Sequence, residues 1–143
     1  MKYLELNRFW SYLIGALIGF FEPIYVIILW MLIFILVDMA TGIYASYTKG
    51  ETITSHKLQR TVVKFLMYGT SIILLEGFDK YFIKLVDCGL AEIGATIICG
   101  IELYSIFENC YKATGNIVFK VLTTFTRDKI ETKTGVKIKR KKK

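Results

Sequence analysis

The fourteen residues IYVIILWMLIFILV, positions 24–37, carry no charge, no side-chain amide and no glycine. Followed through Asp38 to about Thr48, the stretch amounts to some 25 residues, or about 37 Å of helix. A bilayer's hydrocarbon core is about 30 Å thick, so this segment crosses it even when tilted. Pro23 stands just ahead and suits a first helical turn. Lys49 and Gly50 come after, a cation and a flexible residue where a helix C-terminus accommodates them. This stretch decides the fold: the chain is a membrane protein.

Three more apolar stretches flank it. Residues 9–21 hold only Ser11 and Tyr12 as polar interruptions, and at about 1.5 Å per residue they reach about 20 Å, short of a full span. Gly15 and Gly19 inside them form a small-xxx-small pair that lets two helices approach closely in lipid. No Ala-x-Ala site follows, so a cleaved signal peptide is not expected. After a polar loop at 50–57, Ser55 is a fair N-cap for a helix over 56–82, whose apolar part contains Lys64 and Glu76. A fourth helix over 89–111 contains Glu92, Glu102 and Glu108, and an amphipathic piece follows at 116–125. The expected architecture is an all-α integral membrane protein of three to four membrane-embedded helices, with a membrane domain over 1–126 and a basic tail over 127–143.

Composition agrees. Apolar residues make up 54% of 143 positions, against about 45–50% with Gly included in soluble domains. A single Pro and no periodic Gly exclude collagen-like and proline-rich chains. The net charge of +7 resides wholly in 127–143, which holds nine basic and two acidic side chains. Positive segments stay on the cytoplasmic side, so the tail is expected inside, together with the loop bearing Lys49, Lys57 and Arg60. Lys80 and Lys84 then lie on the outer side. Whether 9–21 spans or rests at the interface stays open. The run Lys137, Lys139, Arg140, Lys141, Lys142 and Lys143 suits anionic lipid headgroups better than any specific nucleic acid.

The sequence carries no GxSxG, P-loop, HExxH or clustered Cys/His set, so neither an enzyme nor a metal or cofactor is expected. Cys88, Cys99 and Cys110 are eleven residues apart, too far along a helix to bridge, and read as small packing residues. The informative residues are ionisable groups within apolar helices, which are costly and face a bundle interior or water. Asp38 and Lys64 lie at similar depth and can pair, or can snorkel to the interface. Glu102, Ser105, Glu108 and Asn109 make a polar stripe on the fourth helix, suited to an oligomer contact or a water-filled lesion.

The motif Asp38-x-x-Thr41-Gly42-Ile43-x-Ala45, then Lys49-Gly50-x-x-Ile53-x-Ser55-x-Lys57, then Lys64, resembles phage holin family 4, the toxin-secretion and phage-lysis holins. The resemblance continues through Glu102-Leu103-x-Ser105-Ile106-x-Glu108-Asn109 and Phe119-Lys120-Val121-Leu122. It covers about residues 24–125. Members commonly carry a Pro after the Glu-Asn pair, where this chain has Thr114-Gly115-Asn116, and a Gly before the intramembrane Lys, where it has 61–63. The resemblance implies a homo-oligomer of the bacterial inner membrane that permeabilises it and so releases an endolysin at host lysis. The alternative is a small membrane anchor or export component without a lytic role. A proton-coupled carrier using Asp38 and Glu102 lacks the inverted repeat that such carriers show.

Overall fold

The computed structural model describes residues 2–22, 24–51, 55–82 and 88–138, which form five helices. These are α1 (Lys2–Phe21), α2 (Tyr25–Thr48), α3 (Ser55–Phe82), α4 (Leu90–Thr114) and α5 (Ile117–Thr134). Pro23, Ile53, Lys84 and the tail cations Lys139, Arg140, Lys141, Lys142 and Lys143 lie outside the described residues. So do the side chains of His56 and Lys57. The chain is all-helical, and α2, Leu58–Phe82 of α3 and α4 are long and apolar enough to cross a membrane.

Those three helices make the bundle. Its core joins Ile24, Met31 and Ile35 beside α2 and along it, Ile72 of α3, and Ala91 and Ala95 of α4. Ile24 and Ala91 belong to one end of this core, and at the other Gly42 faces Asn109, so α2 and α4 run parallel and pack directly on each other, with antiparallel α3 beside both. Gly94 lets α3 approach closely, since a Cβ there would lie 2.5 Å from Leu75 Cδ1. Small residues at such crossings are how helices pack where lipid supplies no hydrophobic drive. Large side chains such as Leu29, Trp30, Leu66, Met67 and Leu74 point outward and are more than half exposed. An apolar exterior of that extent belongs in lipid.

Backbone satisfaction at the helix ends follows from short polar signals. At the end of α2, Gly50 adopts φ +66°, and its N–H donates to Tyr47 O while that of Glu51 donates to Ser46 O. This is the paired closure that a left-handed residue after a helix permits, and glycine enters it without Cβ strain. Gly115 closes α4 in the same left-handed region (φ +67°), and the Asn116 side chain accepts from Val118 N–H at 2.9 Å to start α5. Thus the Thr-Gly-Asn break supplies both a helix stop and a helix start. Asp79, buried near the end of α3, accepts from the N–H groups of Cys88 and Leu90 at 3.3 and 3.2 Å. A carboxylate suits that helix N-terminus.

The turn at Gly115 sends α5 back along α4. A Cβ on Gly100 would lie 3.3 Å from Ile130, fifteen residues on either side of the turn. α5 therefore extends nine residues beyond the amphipathic piece expected to end at 125, into the basic segment. Ile130 anchors it, and an i,i+4 approach of Arg127 to Glu131 at 4.0 Å runs along its surface. At the other terminus α1 also exceeds its apolar stretch, taking in residues 2–8. It is not among the three candidate spans, and residues 8–19 are exposed throughout.

A charged cluster at mid-depth of the bundle

Asp38 lies about midway along α2, and Glu102 lies twelve residues from either end of α4. Because α2 and α4 are parallel, both carboxylates reach the same level. Lys64 of antiparallel α3 enters between them. Its Nζ donates to Asp38 Oδ2 and to Glu102 Oε2, each at 2.8 Å. Glu102 is 1% exposed.

Neighbouring groups engage the second oxygen of each carboxylate. Tyr68, one turn after Lys64, donates its hydroxyl to Glu102 Oε1 at 3.2 Å. Asn109 Nδ2 donates to Asp38 Oδ1 at 3.1 Å and reaches the Asp38 carbonyl and Thr41 Oγ1 at 3.4 and 3.5 Å. Gly42 makes room for that amide, since a Cβ there would sit 3.4 Å from Asn109 Nδ2. Among the described residues no buried side-chain N or O lacks a hydrogen-bond partner. Desolvating charges is costly, and only such complete bonding offsets it.

Asp38, Lys64, Glu102 and Asn109 thus converge within one chain. Ser105 stands on the wall of an adjoining cavity, whereas Glu108 turns away to Lys112 at 2.8 Å. Gly15 and Gly19 have nothing within 4 Å of a Cβ built on them. Lys137 is exposed beyond α5. Tyr68 completes the cluster, and Asp79 caps the start of α4 away from it; neither was singled out in the sequence. The four-residue step from Lys64 puts Tyr68 on the same helix face, a signal that was available. Nothing local marks Asp79, whose partners lie nine and eleven residues on.

The cavity occupies about 270 Å³ and extends from Asp38 and Lys64 to the ends of the three helices. Lys49, Glu51, Arg60 and Lys112 surround its outer part. The three cysteines are free, and no group of three or more His, Cys, Asp or Glu converges among the described residues as a metal site.

No curated protein and no solved structure matches the chain. A family model does, over residues 12–128, which takes in α2, α3, α4, the Gly115–Asn116 turn and the first two-thirds of α5. The three spanning helices and the motif residues gathered at their mid-depth all fall inside that match, and the chain belongs to the bacteriophage holin family.

Proposed function

We propose that the chain accumulates in the bacterial cytoplasmic membrane, assembles laterally with copies of itself, and permeabilises that membrane at host lysis to release an endolysin. The observation that carries this reading is the α4–α5 hairpin. With Ile130 against Gly100, the charged residues Arg127, Asp128, Lys129 and Glu131 run beside the middle of a spanning helix. A charge at the bilayer centre costs about 2.5–3.5 kcal/mol on insertion scales. Asp128 and Lys129, the exposed members of this group, require water, not acyl chains, around the outer side of α5. In a ring of copies α5 turns that side to a shared aqueous lumen while the apolar faces of α2 and α3 stay in lipid.

A single copy has no lumen. Before assembly, α5 leaves α4 at the Gly115–Asn116 link and keeps its charges in the cytoplasm. The positive-inside preference favours that side for the tail, as it does for the 49–60 loop. The saturated cluster at Asp38, Lys64, Glu102 and Asn109 lets the bundle accumulate without leaking. When the bundle parts, these residues join Ser105 and Glu108 on the lesion wall. Gly15 and Gly19 on α1 supply a contact between copies, since their own chain leaves them open.

Expression in a bacterium with and without a co-expressed endolysin tests the proposal. The expected outcome is a sharp fall in turbidity only when both proteins are present. Steady turbidity with both proteins at normal levels would instead support a non-lytic anchor.

A further inference from the structure

The cavity between α2, α3 and α4 is lined largely by cationic side chains at its mouth. Its ionisable lining is Asp38, Lys49, Glu51, Arg60, Lys64 and Lys112, four cations to two carboxylates. The inner pair is committed, Asp38 and Lys64 being bonded at 2.8 Å. At the mouth, Lys112 is held by Glu108, and Glu51 accepts from the Ser46 hydroxyl at 3.2 Å. Lys49 and Arg60 have no ion-pair partner among the described residues.

The position of these two cations matters. Lys49 follows the last residue of α2, and Arg60 stands two residues into the Leu58–Phe82 span. Both therefore lie at the level where phospholipid headgroups meet water. Lys49 comes there through the Gly50 closure, which ends α2 at that point. A guanidinium presents paired donors that match two phosphate oxygens, and a lysine beside it adds a point charge. A volume of about 270 Å³ is slightly below that of drug-sized sites, about 300–1,000 Å³. It suits a small polar head, with the acyl chains remaining on the apolar exterior. We infer that this cavity is a site for the phosphate headgroup of an anionic phospholipid, held by Lys49 and Arg60 with Lys112 at the rim. Basic pockets between spanning helices take such headgroups. The site is separate from the basic tail and holds whether or not the chain is lytic.

The test uses the full chain purified in a non-ionic detergent, with bound lipid counted by native mass spectrometry. Dioleoylphosphatidylglycerol should be retained in preference to dioleoylphosphatidylcholine. The double substitution Lys49→Gln, Arg60→Gln should reduce that preference about 30-fold, on about 1 kcal/mol per cation and 1.4 kcal/mol per tenfold. Ala45→Leu, which fills the cavity wall and leaves every charge in place, should also reduce it. Replacing Lys137 and residues 139–143 by Gln should lower total anionic-lipid retention through the tail's own headgroup contacts, while the further loss caused by Lys49→Gln with Arg60→Gln in that background should persist. Equal retention of the two lipids would overturn the site, as would a preference lost only with the tail. Displacement by an equal concentration of inorganic phosphate would assign the cavity to the free anion and overturn the lipid assignment.

Discussion

Lys64 holds two carboxylates from different helices, so its removal should be the most damaging single change in the bundle. Lys64→Met leaves Asp38 and Glu102 facing each other without the cation between them, and should cost about 3–5 kcal/mol in detergent unfolding. Replacing all three residues, as Asp38→Asn, Lys64→Met, Glu102→Leu, should recover most of that loss, because no charge then stays buried. Recovery is the informative result, since a merely bulky lysine would not give it. Asn109→Ala should cost less, about 0.6–2 kcal/mol, the range for one polar contact between membrane helices. The meeting of Asp38 with Lys64 was legible because both fall at similar depth on neighbouring helices. What the stripe on α4 faces was not legible. Spacing puts Glu102, Ser105 and Asn109 on one side, but the parallel placement of α2 and α4 decides that this side meets Lys64 and Asp38. Lysis offers a separate reading of Glu102. Glu102→Leu should leave insertion intact while delaying permeabilisation, and Glu102→Gln should delay it less; normal timing for Glu102→Leu at equal protein levels would remove the residue from the lesion wall.

Among the elements, the α4–α5 hairpin carries the most consequence and was the least legible. The three spanning helices announce themselves by long, largely apolar stretches, and two of their ends by Gly50 and Ser55, whereas α4 runs three residues past the expected end at 111 to its stop before Gly115. Beyond Phe125 the composition turns polar, so a helix there looks like tail. Its order depends on Ile130 meeting Gly100 across the turn, a contact that periodicity does not reveal. Spin labels at Thr96 and Thr132, with the native cysteines replaced, should be close in the assembled protein, across helices whose axes lie about 8–10 Å apart. A continuous α4–α5 rod would separate them by about 54 Å. Gly115→Val should lengthen the distance, because a β-branched residue resists φ +67°. Asn116→Ala should weaken the start of α5 by about 1 kcal/mol.

At the scale of the whole molecule, three apolar helices enclose one charged cluster, α5 folds back along α4, and α1 precedes them in the chain. The bundle was legible because hydropathy alone fixes spanning segments. The relations of α1 and α5 to it were not, since α5 is ordered by the contact of Ile130 with Gly100 across a turn and α1 leaves Gly15 and Gly19 open. Gly15→Leu with Gly19→Leu should weaken cross-linking between copies in membranes, and unchanged cross-linking would place the contact elsewhere. A cysteine at Lys142 should resist impermeant thiol reagents in intact cells before lysis; labelling from outside would reverse the proposed orientation. The central claim is that copies accumulate silently and then open the membrane together. A potential-sensitive dye followed through induction of this chain alone tests it most directly. The account predicts a steady potential, then an abrupt collapse at a reproducible time. A potential that persisted, or decayed gradually from the onset of synthesis, with the protein in the membrane at full level would contradict it.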